Sequence, residues 1–160
     1  MREYYLHHNI HMSATRLAIV FLSTLATLTI LPFANAATGP ALKPEAIVQA
    51  QLDAYNAHDI DAFLATYADD AQIFEHPAKL LASGLTQLRE RYTARFKEPN
   101  LHAIIPKRIV MGNVVIDHEM IARTFPEGPG TSEAVAIYEV QGGKIAKVWL
   151  VMGPKALTSK

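Results

Sequence analysis

Two histidines, His76 and His118, carry the titratable chemistry that stands out in this 160-residue chain. Imidazole has an unperturbed pKa of ~6.5, so a positioned histidine can take and return a proton near neutral pH. His76 closes the segment Ala71 to His76 (AQIFEH), which Pro77 ends. Strand alternation puts Phe74 and His76 on one face, and Ile73 and Glu75 on the other. His118 shares its face with Val114, Ile116, Met120 and Ala122, an otherwise apolar file. A polar group there must find a partner or face a cavity, because burying it unpaired costs ~1–3 kcal/mol. By the same parity Asp117 and Glu119 point the other way, toward solvent or a partner subunit. Each histidine admits more than one reading. His76 is an acid–base group or a strand-end residue bonded to a loop carbonyl. His118 is its partner across a pocket, is paired with one carboxylate that orients it, or is a satisfied core histidine.

Other chemistries lack their signatures. The chain has no cysteine. His76, His102, His118 and Glu75 are scattered, with neither an HxH nor an HExxH spacing, so no metal site is expected. There is no nucleophile elbow, P-loop or dinucleotide fingerprint, and no cofactor is expected.

The elements that must position these residues follow from periodicity. Ala37 to Pro44 (ATGPALKP) reads as a linker. From Glu45, the residues Ile47, Val48, Leu52 and Tyr55 recur at helical spacing up to Asn56. Asp59 is an N-cap for a short second helix with Ile60, Phe63, Leu64 and Tyr67 on one face. Lys79 to Ser83 reads as irregular. A third helix, Leu85 to Lys97, buries Leu85, Leu88, Tyr92 and Phe96 and leaves Arg89, Glu90, Arg91 and Arg95 on its wet side. The period then changes to two. Leu101 to Met111 and Val114 to Phe125 form a hairpin about Gly112-Asn113. After the loop Pro126 to Thr131, Glu133 to Val140 and Lys144 to Met152 form another about Gln141-Gly142-Gly143. The expected fold is α+β: a curved antiparallel sheet packed by three helices in a cone with a pocket at its open end. Tyr55, Phe63, Tyr67, Phe96, Tyr138, Leu150 and Met152 are placed to line or close it. Trp149, with Lys147, Val151 and Ile137, falls on the outer sheet face.

Residues 1–36 read as a secretion signal. Arg2 and Arg16 precede an uncharged apolar run, Leu17 to Leu31, and Ala34-Asn35-Ala36 supplies the small-x-small cleavage pattern. Met12 offers an alternative start. The run is short for a membrane span, which takes ~20 apolar residues, although a retained anchor is the competing reading. The mature protein is expected in the periplasm or secreted, with no membrane association after cleavage. Of 15 basic and 15 acidic residues, Arg2, Arg16 and Glu3 lie in the leader, which leaves 13 and 14 and a net charge of −1. No basic stripe exists, so nucleic acid is not an expected partner.

Several motifs together resemble one superfamily. They are Tyr55-Asn56-Ala57-His58-Asp59-Ile60-Asp61-Ala62-Phe63, Tyr67-Ala68-Asp69-Asp70-Ala71, Phe74-Glu75-His76-Pro77, Ser83-Gly84, and Gly142-Gly143-Lys144-Ile145. Over about residues 45–153 the chain resembles the nuclear-transport-factor-2-like superfamily, and within it the SnoaL-like branch that includes polyketide cyclases and ketosteroid isomerases. Residues 154–160 would then be a tail. The resemblance implies that the Phe74/His76 face looks into the pocket, with His76 where the isomerases carry their general-base aspartate. It puts Gln51 where they carry a tyrosine donor and Ala136 where they carry a protonated aspartate, so their oxyanion hole is not reproduced. It makes Tyr138 and Met152 pocket residues and the outer sheet face a homodimer surface. Three functions remain open: a proton-transfer enzyme, isomerase- or cyclase-like, with His76 as base and His118 as support; a non-catalytic receptor for a small apolar molecule; and a dimeric accessory protein.

Overall fold

In a computed structural model that describes residues 42–158, the chain from Pro44 onward forms three helices and six strands. The expected leader and most of the expected linker lie outside the described residues. Pro44 occupies the first turn of α1 (Pro44–Asn56), where a missing N–H costs nothing. Its buried stripe is Ile47, Val48, Gln51, Ala54 and Tyr55. Asp59 caps α2 (Ile60–Ala65), its carboxylate accepting from the N–H groups of Asp61 and Ala62. Then come β1 (Tyr67–Glu75), β2 (Lys79–Ser83), α3 (Gly84–Arg95), β3 (His102–Met111), β4 (Val114–Phe125), β5 (Gly128–Gln141) and β6 (Lys144–Leu157).

The sheet order is β2-β1-β6-β5-β4-β3. The last four strands form the expected meander, and both hairpins turn where the glycines stand. Gly142 and Gly143 adopt φ of 57° and 79°, backbone that side-chain-bearing residues rarely take. Three expectations are corrected. Lys79–Ser83 is a strand, because pairing with Gln72–Glu75 satisfies its backbone. β1 runs parallel to β6, so the sheet is mixed rather than antiparallel. Residues 154–157 continue β6 instead of forming a tail.

The three helices cover one sheet face and enclose the core. Phe63 is its hub, with ring centroids 4.4 Å from Tyr92, 5.1 Å from Tyr67 and 5.5 Å from Phe96. On the uncovered face Trp149 pairs with Ile137, Val151 with Val135 and Lys147 with Glu139, as strand parity led us to expect.

Candidate active site

Parity along β4 decides what faces the helices, and it is the reverse of the apolar count. Val115, Asp117, Glu119 and Ile121 are buried, whereas Val114, Ile116, His118, Met120 and Ala122 are only half-buried on the outer face. Two carboxylates can point inward because each has a partner. Asp117, 1% exposed, accepts two hydrogen bonds of 2.7 Å from Arg108 Nε and Nη2 on β3. Arg108 Nη1 also donates to Gln49 of α1 at 2.9 Å. Glu119, 8% exposed, accepts from the Tyr138 hydroxyl at 2.9 Å. Tyr138 reaches it diagonally across β5, over the short inward side chains of Ala136 and Ala134 that face Asp117 and Glu119.

Glu119 and Tyr138 line a cavity of about 80 Å³ between sheet and helices. Gln51, Leu52 and Tyr55 of α1 form one wall, and Tyr67, Val148, Leu150 and Met152 another. Arg91, Tyr92 and Arg95 of α3 close the third. Gln51 Nε2 donates to the Tyr67 hydroxyl at 3.4 Å, which leaves the phenolic proton of Tyr67 free to donate. The expected apolar pocket is therefore a mixed one, rich in hydroxyls and lined by one acidic side chain, Glu119, and two basic ones, Arg91 and Arg95.

Burial pushes the Glu119 carboxyl up to about 7; the Tyr138 hydrogen bond opposes this, the Asp117 charge adds to it and Arg108 subtracts. Burial likewise raises the hydroxyls of Tyr67 and Tyr138 well above their ordinary range, so they act as donors and not as phenolates. A carboxyl of this kind exchanges its proton near neutral pH, which suits a general acid–base group. Among the described residues, no three His, Cys, Asp or Glu side chains cluster as metal ligands.

The Glu119 shift has a consequence for stability. Its folded pKa lies above the ordinary 4.5, so between those values the native state holds a proton that the unfolded chain has released. That stabilisation is complete below about 4.5 and is lost as pH rises through about 7. The expected loss is of order 3 kcal/mol, at about 1.4 kcal/mol per pKa unit. Urea denaturation at pH 5 and pH 8 checks it. Glu119→Gln should flatten the slope, and equal slopes in both proteins would contradict the assignment.

Several anticipated site residues lie elsewhere. His76 is exposed beyond the end of β1, its backbone N–H donating to the Leu150 carbonyl. Phe74 is on the outer face, stacked on Trp149 at 5.8 Å, because Ile73 takes the buried position. His118 is on the outer face too, 2.6 Å from Glu133. The strands of His76 and His118 are three steps apart in the sheet, roughly 14 Å at ~4.8 Å per step, so the two histidines form no couple. Phe63 and Phe96 stand behind the tyrosines rather than in the cavity. Gln51, Tyr55, Tyr67, Tyr138, Leu150 and Met152 do line it. Glu119, expected to face solvent or a partner subunit, and Arg91 and Arg95, expected on the wet side of their helix, line the cavity as well.

The sequence matches the family model described as a SnoaL-like domain over residues 48–148. Among solved structures, it is similar to an uncharacterized cystatin-fold protein from Novosphingobium aromaticivorans, with 25% identity and a TM-score of 0.64, over 69% of this chain and 98% of that one. It is also similar in fold to an epoxide hydrolase of the LEH-like type from Mycobacterium tuberculosis, with 16% identity and a TM-score of 0.61, over 69% and 82% of the two chains. A third is a ketosteroid-isomerase-like-fold protein from Catenulispora acidiphila in complex with trimethylamine, with 18% identity, a TM-score of 0.57 and coverage of 65% and 82%. No curated protein sequence gives a significant match.

Proposed function

We propose, from the premise that the chain belongs to the SnoaL-like domain family, that its pocket binds a small carbonyl compound and moves a proton on it, with Glu119 as the acid–base group. One observation carries this reading: a buried carboxyl faces a ligand-sized space, held by a tyrosine hydroxyl and shifted into the neutral range. Ionised Glu119 takes the proton next to the carbonyl. The C–H electrons pass into a C=C bond and the carbonyl π electrons onto oxygen, where a tyrosine hydroxyl donates a hydrogen bond. Glu119 then returns its proton to carbon, at the same or a conjugated position. Incubating the protein in D₂O with a panel of enolisable ketones, lactones and oxo acids tests this by mass spectrometry. Deuterium entering the substrate faster than in buffer is the expected result. A compound that binds and never exchanges would mean a receptor.

Two further properties belong to this reading. The pattern of residues 1–36 supports export, in which case the mature chain begins at Ala37; N-terminal sequencing of material from outside the cytoplasm checks it. The outer face carries exposed Ile104, Ile109 and Met111 on β3 and exposed Val151 near Trp149 on β6, which supports a homodimer through that face. Sedimentation should find a dimer that Val151→Lys converts to monomer. A monomeric parent protein at high concentration would rule the dimer out.

A further inference from the structure

The α3 side of the cavity is more cationic than its partners can neutralise. Arg91 and Arg95 stand one turn apart on α3 and both line the cavity. Both guanidiniums also lie near the Tyr92 hydroxyl, where they counteract the upward push of burial on that group. Among the described residues no ion pair engages Arg91. The carboxylate that approaches Arg95 is Glu98, at 4.0 Å. Glu98 is already committed, accepting from Arg123 Nη2 at 2.8 Å, Arg123 Nε at 3.4 Å and the Thr124 N–H at 3.2 Å. Inside the cavity the lone lining acid is Glu119, and Tyr138 holds it.

We infer that the ligand is an anion, a compact enolisable oxo acid whose carboxylate docks on Arg91 and Arg95 while its carbonyl end faces Glu119. Guanidinium forks match carboxylate geometry and lose less hydration than an ammonium would. The cavity of about 80 Å³ is far below the ~300–1,000 Å³ of drug-sized sites, so the ligand is small. Tyr67, with its phenolic proton free, is placed to hydrogen-bond the carbonyl oxygen as charge develops there. The inference rests on the proton-transfer reading for the carbonyl end, but the anion site stands on the arginines.

The test compares 2-oxobutanoate with its neutral isostere 2-oxobutanamide. Binding to the full chain is followed by calorimetry and deuterium entry at C3 by mass spectrometry. The acid should bind at least tenfold more tightly than the amide, and added salt should weaken only the acid. Arg91→Gln, which breaks no ion pair, should cost the acid fivefold or more, and Arg91→Lys should restore part of that. Equal affinity for acid and amide, no binding of either at millimolar concentration, or a preference untouched by Arg91→Gln would overturn the anion site. Exchange that persists in Glu119→Gln with the arginine-dependent preference intact would overturn the acid–base reading and leave the anion site supported.

Discussion

Glu119→Gln should slow proton exchange on a bound carbonyl compound by about 10²- to 10⁴-fold, the usual contribution of a positioned acid–base group. Glutamine has nearly the shape of glutamate and keeps a carbonyl oxygen to accept from the Tyr138 hydroxyl. What it cannot do is release and recapture a proton. The effect should therefore fall on turnover and not on ligand affinity, and the limb of the pH profile centred near 7 should vanish with it. His76→Ala and His118→Ala serve as controls, since His76 is exposed and the His118–Glu133 pair lies on the outer face. Both should exchange at the parent rate. A Glu119→Gln protein that folds and keeps full exchange would remove Glu119 from the chemistry.

The second large effect is on folding. Arg108→Ala should destabilise the protein by about 3–5 kcal/mol, because it strands the carboxylate of Asp117 in the core. Asp117 is 1% exposed and both its oxygens accept from Arg108. Replacing the pair together, Arg108→Met with Asp117→Leu, should recover most of that loss, since the ion pair owes little net stability to being buried. Urea denaturation of the parent protein and the two variants makes the comparison. Equal losses in the single and double variants would show that packing of the Arg108 stem, not the uncompensated charge, sets the cost. The single variant should also raise Glu119 further, because Arg108 lowers its pKa while the Asp117 charge raises it.

Much of the architecture was legible in residue patterns. The 3.6-residue stripe of α1, the cap at Asp59 and the glycines of both hairpins mark their elements by local chemistry, and local chemistry is what a sequence records. β2 was not legible, since a five-residue edge strand has no burial pattern of its own and exists by pairing with β1. The site was half legible. Periodicity points Tyr55 of α1, Tyr67 of β1, Tyr138 of β5 and Leu150 and Met152 of β6 toward the cavity that they line, but the expected faces of β4 and of the end of β1 are reversed. On β4 the apolar count favours the file of His118, and that count fails where buried carboxylates have partners on other strands. One signal was available. A two-residue turn at Gly112-Asn113 sets Arg108 opposite Asp117, an opposite-charge pair better suited to an inward face than either residue alone. Charge on a helix usually means a wet face, so the sequence reads Arg91 and Arg95 as solvent-facing, and only the placement of α3 against the sheet reveals the cavity beneath them.

The most direct test is a titration of the Glu119 side-chain carboxyl by carbon-detected NMR, with Glu119→Gln identifying its resonance. A midpoint near 7 is expected. It would establish a buried carboxyl able to trade protons with a bound molecule at neutral pH. A midpoint near the ordinary 4.5 of a solvated glutamate would mean that water reaches the carboxyl freely, and the acid–base role of Glu119 would fall.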